Sequence, residues 1–262
     1  DELREAVAGF RRQGKTIGLV PTMGALHAGH LSLVEAAKNQ CDVCLVTIFV
    51  NPSQFGPAED LDQYPRTLEA DLDALSRYGV ELAFVPKESE VYQPEHSTWV
   101  EVNSVSEPLE GECRPGHFRG VATIVLKLFN MASADVAYFG QKDYQQVAVI
   151  RRMVADLNVP IEIRICPTVR EPDGLAMSSR NVYLDGDARD QSLVLWKGLC
   201  LAKELVDGGQ LAPAVVVEAI RQILLSAPDA KIEYTAVVDP ATLEPVGEIR
   251  GRTLVALAVR FG

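Results

Sequence analysis

Short apolar segments alternate with helix-type segments over the first two thirds of the chain, and this alternation is the strongest constraint on its fold. The segments of strand length are 16–22, 43–50, 80–86, 136–140 and 161–167. The second of these, VCLVTIFV, is apolar on both faces, as a central strand of a parallel sheet would be. Because strands that alternate with helices form parallel sheets, the sequence predicts an α/β fold with a doubly wound, Rossmann-like parallel sheet.

The helix-type segments carry apolar residues three or four positions apart. One contains Leu31 and Val34, and another places Leu68, Leu72 and Leu75 on a single helical face. Further segments of the same spacing cover 120–133 and 143–157.

The sequence changes character after Pro167. A polar loop leads to two helix-type segments, about 188–207 and 212–226, and then to two strand-type segments, 231–238 and 253–259. Proline and glycine residues separate the last two, which predicts antiparallel pairing. We therefore expect a first domain over 1–168 and a smaller α+β domain over 169–262.

Charge and composition narrow the possible functions of these 262 residues. The net charge of -11 disfavours binding to nucleic acids and anionic membranes, which attract basic surfaces. No segment has the length and apolarity of a membrane span. We expect a cytoplasmic protein with no nucleic-acid or membrane partner. A small anionic ligand is compatible with this charge, because a cleft can be locally positive.

The five cysteines are scattered along the chain, unlike the disulfide framework of a small secreted domain, so we expect reduced thiols. Cys41 and Cys44 form a C-x-x-C pair at the start of an apolar strand, with no second pair to complete a zinc site. Burial is therefore the favoured interpretation. Cys113 belongs to no recognisable motif.

The segment PTMGALHAGH, residues 21–30, follows the first strand and lacks both the Walker phosphate loop and the G-x-G-x-x-G fingerprint. If a helix begins near Leu26 or His27, then His27 and His30 lie on one face of its first turn. Free backbone N–H groups and the helix dipole favour an anion there, and two imidazoles add directed donors. The sequence thus indicates a phosphate site.

The H-x-x-H spacing is also compatible with two simpler arrangements. One histidine can cap the helix while the other is a satisfied surface group, which is the common situation for a lone pair of this kind. A zinc site is disfavoured, since the chain has only four histidines and no carboxylate or cysteine lies nearby in sequence.

HAGH is similar at three of four positions to the HIGH signature of the nucleotidyltransferase superfamily, which includes class I aminoacyl-tRNA synthetases and small adenylyltransferases. Members of that superfamily pair the signature with a second loop that holds the ATP phosphates from the other side. By this resemblance the segment AMSSRN, 176–181, corresponds to the second loop.

Segments in the order of one family extend this likeness over 17–184. They are PTMGALHAGH, IFVNPSQF, DLDQYPRT, HFRGVATIVLKLF, YFGQKDYQQ and VREPDGLAMSSRNVYL. Together they resemble the pantothenate synthetase family, also called the pantoate–beta-alanine ligases. The resemblance covers the whole chain and is weakest after residue 185. It implies a nucleotide- and pantoate-binding domain followed by a C-terminal lid domain.

The resemblance implies an ATP-dependent ligase that joins pantoate to β-alanine. Pantoate would attack the α-phosphorus of ATP to give pantoyl adenylate and pyrophosphate, and β-alanine would then displace AMP to form the amide of pantothenate. Mg²⁺ is implied as the companion of ATP, and a homodimer as the assembly. Such a reaction calls for positioning and charge neutralisation more than for a protein nucleophile.

The resemblance also assigns residues. It implies catalytic roles for His27, His30 and Lys142, with His30 as the proton donor, and two pantoate-binding glutamines, Gln54 and Gln146. The implied ATP-binding residues are Met23, Gly24, His27, His30, Gly140, Lys142, Asp143, Val169, Met177, Ser178, Ser179 and Arg180. Asp71 is a weak candidate for Mg²⁺, in competition with Asp60 and Asp62, and Glu110 and Arg114 are candidate supporting groups.

Two other functions are also compatible with the sequence. A related adenylyltransferase would transfer AMP to a phosphorylated acceptor and would need an Arg or Lys cluster where Gln54 and Gln146 stand. A catalytically silent nucleotide-binding module would have little reason to keep both glutamines together with the serine–arginine loop.

Overall fold

The computed structural model describes residues 2–57 and 59–261. The chain forms two compact units. The first comprises Asp1–Val102 and Pro115–Val169, and the second comprises Asn103–Arg114 and Arg170–Gly262.

The segment Asn103–Arg114 lies in the second unit, although the sequence prediction had it in the first domain. Its short helix is close to the C-terminal sheet. Burial raises the pKa of the Cys113 thiol, and the nearby carboxylate of Glu233 raises it further. A polar loop of this kind gives no apolar pattern from which its packing partner could be predicted.

The first unit contains a five-stranded sheet in the order β3–β2–β1–β4–β5, with every pair parallel. The strands are β1 Ile17–Thr22, β2 Val43–Ile48, β3 Leu82–Phe84, β4 Val136–Gly140 and β5 Glu162–Cys166. Strands β1 and β2 are almost fully buried, which explains why their sequences are apolar on both faces. The predicted doubly wound parallel sheet is confirmed.

Most of the longer helices lie where the spacing predicts, but the helices at 2–12, 88–91 and 110–113 were not predicted. The helices are α1 Glu2–Arg12, α2 Ala28–Gln40, α3 Leu68–Arg77, α4 Glu88–Val91, α5 Glu110–Cys113, α6 His117–Ala132, α7 Tyr144–Asp156, α8 Gly186–Gln191, α9 Val194–Asp207 and α10 Pro213–Leu225. Short 3₁₀ helices occupy Pro52–Gln54, Gln141–Asp143 and Ser179–Tyr183.

The helix predicted over 188–207 is two helices, α8 and α9, separated at Ser192. The Ser192 side chain is buried, and its hydroxyl donates to the carbonyl oxygen of Arg189 at 2.6 Å. Serine bonds of this kind compete with the regular helix ladder, so the break has a local cause.

The face of α3 that packs inward is not the one marked by its three leucines. Leu75 is buried, at 2% exposure, but Leu68 and Leu72 are 42% and 39% exposed. The second inward position is Asp71, at 3% exposure, which lies four residues before Leu75 on the same face. On this helix the tertiary contacts of a carboxylate therefore outweigh the apolar pattern.

The second unit has two helices packed on a two-stranded antiparallel sheet. Strand β6 Ala230–Val238 pairs with β7 Leu254–Phe261, as predicted. Helices α9 and α10 contribute to its core, in which Val216, Ile220 and Leu224 are fully buried. This confirms the smaller α+β part of the predicted fold.

Within the described residues 2–57 and 59–261, none of the helices combines the length and the apolar character that crossing a bilayer requires.

Candidate active site

The loops after β1 and β4 meet where the strand order of the first sheet reverses. Strand β1 lies between β2 and β4, so the chain leaves β1 toward one side and β4 toward the other. In open α/β sheets, ligands bind outside the carboxyl ends of the strands at such a position. The loop 23–27 and the 3₁₀ helix Gln141–Asp143 occupy it.

Asp71 holds the backbone of the loop after β1. Its Oδ2 accepts a hydrogen bond from the backbone nitrogen of Ala25 at 2.9 Å, and its Oδ1 accepts one from Leu26 at 2.8 Å. The hydroxyl of Thr67 donates to Oδ1 at 3.1 Å. This buried carboxylate therefore shapes the loop that carries the histidines, a task that sequence reasoning did not assign to it.

Gly24 is required at the tightest point of this loop. It has a φ of 84°, in the left-handed region, and the next residue, Ala25, has a φ of 50°. A Cβ at position 24 would lie 3.0 Å from Oδ2 of Asp71 and 3.1 Å from Cγ2 of Ile48. Only glycine combines this backbone conformation with so close an approach.

The two histidines form a capping box at the start of α2. His27 is the N-cap residue, and its Nδ1 accepts from the backbone nitrogen of Gly29 at 3.1 Å. His30 is at N3, and its Nδ1 accepts from the backbone nitrogen of His27 at a longer 3.4 Å. A capping box needs a spacing of three residues, so the H-x-x-H pattern serves helix initiation through both of its histidines.

These backbone bonds decide the tautomer of each imidazole. A ring nitrogen that accepts from an N–H carries no proton, so in the neutral form the proton is on Nε2 of both rings. The ring centroids of His27 and His30 are 4.1 Å apart. The pair therefore offers two Nε2–H donors within one helical turn.

Burial keeps both imidazoles neutral. It lowers the pKa of His30 to about 4, and the charges of His27 and Lys142 act in the same direction, while Asp143 opposes them. Burial also lowers the pKa of His27, with Lys142 as the next cause and Asp143 again opposing. At neutral pH these histidines act as hydrogen-bond donors rather than as cations.

Lys142 and Asp143 lie in the 3₁₀ helix after β4, and their charges act on both histidines. The Nζ of Lys142 lies 3.4 Å from Oδ1 of Asp143, and both side chains are exposed to solvent. An exposed pair of this kind contributes little to stability, so Lys142 can exchange this partner for a ligand anion at small cost. The structure thus brings three predicted catalytic residues together.

The other predicted site residues of the first unit lie in segments that follow the strands of the sheet. Gln54 ends the 3₁₀ helix after β2 and is 8% exposed, and Gln146 is half-buried in the first turn of α7. Met23 and Gly24 follow β1, Gly140 ends β4, and Val169 is the last residue of the unit.

Asn51 is a functional candidate that sequence reasoning missed. It is fully buried, caps the 3₁₀ helix and donates from Nδ2 to Oε1 of Gln54 at 2.9 Å. The signal for it was present, because asparagine before proline at a helix start is a typical N-cap. Another hydrogen-bond partner of Asn51, Tyr92, is distant in sequence, and no local pattern predicted it.

In the second unit, the predicted serine–arginine segment is held by a polar network. Glu171 accepts from Arg189 at 2.8 Å and from the side-chain amide of Asn181 at 3.1 Å. The same amide nitrogen donates to the carbonyl oxygen of Ala176 at 3.1 Å. These bonds fix both ends of Met177, Ser178, Ser179 and Arg180.

Ser178 is the N-cap of the 3₁₀ helix that follows, and its Oγ accepts from the backbone nitrogen of Arg180 at 3.2 Å. Elsewhere in this unit, Glu110 and Arg114, the candidate supporting groups, form an ion pair of 3.2 Å with each other.

No group of three or more His, Cys, Asp or Glu side chains is arranged to hold a metal in the described part of the chain. Both oxygens of Asp71 accept backbone N–H groups, so this carboxylate is already engaged within the protein. The residues fit a Mg²⁺ ion only if most of its ligands come from substrate phosphates and water, which is its usual mode of binding.

A parallel sheet with this strand order and a histidine-capped helix at its switch point place the chain among the open α/β proteins that bind ligands beyond the carboxyl ends of their strands. The family model described as Pantoate-beta-alanine ligase matches residues 1–262. The chain belongs to the pantoate–beta-alanine ligase family, and it is a carbon–nitrogen ligase that forms pantothenate.

Named relatives agree with this assignment. A pantothenate synthetase from Koribacter versatilis is 52% identical over 261 residues, which is 100% of this chain and 90% of the relative. The crystal structure of pantothenate synthetase from Thermus thermophilus has 44% identity and a TM-score of 0.93, covering 97% of this chain and 93% of that one.

A third relative was solved with ligands. The pantoate–beta-alanine ligase from Francisella tularensis, described as complexed with beta-gamma ATP and beta-alanine, has 33% identity and a TM-score of 0.77. The match covers 97% of this chain and 90% of that one.

Proposed function

We propose that the chain uses ATP to activate pantoate as pantoyl adenylate and then transfers the pantoyl group to β-alanine. The observation that carries this proposal is the neutral His27–His30 pair beside Lys142 at the switch point of the sheet. A site with two neutral donors and one cation suits the anionic oxygens of a nucleotide.

In the first step a carboxylate oxygen of pantoate attacks the α-phosphorus of ATP, and the bond from that phosphorus to pyrophosphate breaks. Negative charge grows on the phosphoryl oxygens and on the leaving group. Lys142 and the Nε2–H groups of His27 and His30 would receive this charge. Because burial depresses their pKa values, the histidines are neutral at physiological pH and donate hydrogen bonds without carrying a positive charge.

In the second step the uncharged amine of β-alanine attacks the acyl carbon of the adenylate. The bond from that carbon to the AMP oxygen breaks, AMP leaves with its electron pair, and the amine releases one proton as the amide forms. This chemistry needs exclusion of water, which would otherwise hydrolyse the adenylate.

We propose that Gln54 and Gln146 bind pantoate, because amides can serve both its carboxylate and its hydroxyl groups. The other ATP-binding residues are proposed from the family likeness. They are Met23, Gly24, Gly140, Asp143, Val169, Met177, Ser178, Ser179 and Arg180. Arg180 can engage phosphate oxygens in a bidentate manner.

Mg²⁺ is proposed to enter as its complex with ATP, with phosphate oxygens as its main ligands. The metal role of Asp71 stays a prediction, and the two backbone bonds that its carboxylate accepts favour a positioning role. A homodimeric assembly and a cytoplasmic location are proposed on the family likeness, and light scattering of the purified chain tests the former.

The activity is tested with the purified chain. Pyrophosphate should appear only when ATP and pantoate are both present, and AMP and pantothenate should appear in equal amounts after β-alanine is added. Pyrophosphate release with a phosphorylated acceptor but none with pantoate would instead identify an adenylyltransferase. ATP binding without any turnover would identify a silent binding module.

A further inference from the structure

The amide of Asn51 has a single possible orientation. Its Oδ1 lies among donors, with the hydroxyls of Tyr92 and Ser53 both at 2.9 Å and the backbone nitrogen of Ser53 at 3.4 Å. Its Nδ2 faces acceptors, namely Oε1 of Gln54 at 2.9 Å and the carbonyl oxygen of Gly120 at 3.2 Å. Reversing this amide would set its NH₂ group against the backbone N–H of Ser53 and its oxygen against the carbonyl oxygen of Gly120.

The orientation of Asn51 passes directly to Gln54. Because Oε1 of Gln54 accepts from Asn51, the Nε2 of Gln54 lies on the opposite side of its amide, and Nε2 can only donate. The main chain of Gln54 is fixed as well, since its carbonyl oxygen lies 2.8 Å from Nδ1 of His117. Gln54 is therefore set to recognise an acceptor, such as a carboxylate or hydroxyl oxygen.

Tyr92 is held in place by an aromatic cluster, defined here as Phe49, Tyr92, His96 and Trp99. The ring of Tyr92 stacks on Trp99 at 6.1 Å, meets His96 edge-on at 5.0 Å and lies 6.4 Å from Phe49. The Nζ of Lys127 lies 5.4 Å from the centroid of the same ring. Stacked and cation–π contacts of this kind restrict the ring, and so the direction of its hydroxyl.

The hydroxyl of Tyr92 is a permanent donor. Burial raises the pKa of Tyr92 above its ordinary value, so the group keeps its proton at physiological pH. The hydroxyl oxygens of Tyr92 and Ser53 lie 3.0 Å apart. Together with Oδ1 of Asn51 they form a group of three oxygens that share two hydroxyl protons. Removing Tyr92's hydroxyl leaves Oδ1 of Asn51 with fewer donors to hold its orientation.

We propose that Tyr92 is a positioning residue for pantoate recognition, acting through Asn51 to present the Nε2–H₂ group of Gln54 to an acceptor oxygen of the substrate. This inference rests on the proposed role of Gln54. It assigns function to a residue that is 38 positions from Gln54 and lies in none of the motifs that identify the family.

The test compares Tyr92→Phe with Tyr138→Phe. Tyr138 is a buried tyrosine of the same unit, and its hydroxyl contacts the side chains of Gln40 and Cys41 instead. We expect Tyr92→Phe to raise the KM for pantoate about 3- to 10-fold, the cost of one buried hydrogen bond, with little change in kcat or in the KM for ATP. Tyr138→Phe should leave all three constants as in the wild type.

A double-mutant cycle tests the route through Gln54. In a Gln54→Ala background, Tyr92→Phe should add no further increase to the KM for pantoate, because the group that it positions is absent. An undiminished effect in that background, an unchanged KM in Tyr92→Phe alone, or an equal rise in both tyrosine variants would each overturn the inference. Failure of the wild type to use pantoate would overturn the proposed function and this inference with it.

Discussion

Oδ2 of Asp71 lies 2.9 Å from the backbone nitrogen of Ala25, across 46 residues of sequence. This bond joins helix α3 to the loop that carries the two histidines. Asp71 is only 3% exposed, so this hydrogen bond is largely shielded from solvent. Much of the candidate site depends on bonds of this type, in which a buried polar group shapes a loop that would otherwise be free to move.

Replacing Asp71 by Asn tests its positioning role. The amide presents an NH₂ group to one of two backbone donors, so we expect a loss of about 1–3 kcal/mol in the free energy of unfolding and weaker ATP binding. Urea denaturation and calorimetric titration with ATP measure these effects. Asp73→Asn is the matched control, because Asp73 is exposed on the same helix and forms an ion pair of 2.5 Å with Arg77.

The same variant separates positioning from metal binding. If Asp71 positions the loop, the Mg²⁺ concentration that gives half-maximal rate should be the same in Asp71→Asn as in the wild type. A large increase in that concentration, with normal stability, would instead identify Asp71 as a Mg²⁺ ligand.

The depressed pKa of His30 predicts a pH dependence of stability. The folded protein keeps His30 neutral down to about pH 4, whereas the unfolded chain protonates it near 6.5. The unfolded state therefore binds more protons in this interval. Stability from this group is complete above pH 6.5 and is lost as the pH falls toward 4, by on the order of 3 kcal/mol.

Denaturation curves of the wild type and of His30→Ala, measured between about pH 4 and 7.5, check this expectation. The difference between the two free energies of unfolding should shrink as the pH falls through that interval. A difference that is constant over the interval would mean that His30 has an ordinary pKa in the folded protein.

Lys142 should contribute mainly to the first chemical step. We expect Lys142→Ala to slow pantoyl adenylate formation about 10²- to 10³-fold, as loss of one donor to a developing anion commonly does. Single-turnover pyrophosphate release measures this. Lys203→Ala, which removes an exposed lysine of the second unit, is the control.

The Lys142 variant also has a spectroscopic signature. Because the charge of Lys142 lowers the pKa of both His27 and His30, its removal should raise both values in an NMR titration of the imidazoles. Unchanged histidine titrations would contradict the proximity on which the catalytic assignment depends.

Gly120 allows α6 to lie directly against the 3₁₀ helix that carries Gln54. A Cβ at this position would be 2.2 Å from the carbonyl oxygen of Ser53 and 2.9 Å from the backbone nitrogen of Gln54. We expect Gly120→Ala to cost about 1–3 kcal/mol of stability and to raise the KM for pantoate, because main-chain atoms must move.

Gly9→Ala is the matched control for this substitution. Gly9 is also a helical glycine, in α1, but a Cβ there would have no atom within 4 Å. This change should leave the KM for pantoate unaltered and should not destabilise the protein, since alanine is the better helix former. Equal effects of both substitutions on the KM would contradict a specific role for Gly120.

Local pattern was sufficient to predict the strands and most of the longer helices. The alternation of apolar runs and helical spacing predicted the parallel sheet and the antiparallel C-terminal pair, and both are confirmed. The order of family motifs predicted the ligase function. The site roles of the individual residues stay predictions, although the structure brings His27, His30 and Lys142 together.

Local pattern failed where a polar group is buried by a distant partner. In α3 the apolar spacing marks Leu68 and Leu72, which are exposed, and the structure buries Asp71. Local pattern also gave no sign of Tyr92, whose hydroxyl reaches Asn51 across 41 residues. Periodicity reports how apolar a face is, but it does not report which backbone donors that face will meet.

The sequence by itself therefore determined which segments become strands and helices, because these depend on residue spacing within a few turns, and which family the chain resembles. Only the tertiary structure decided the tautomers of His27 and His30, the task of Asp71 and the orientation of the Gln54 amide. These properties follow from hydrogen bonds and burial, and both arise only after the sheet order has brought loops from different parts of the chain to one edge.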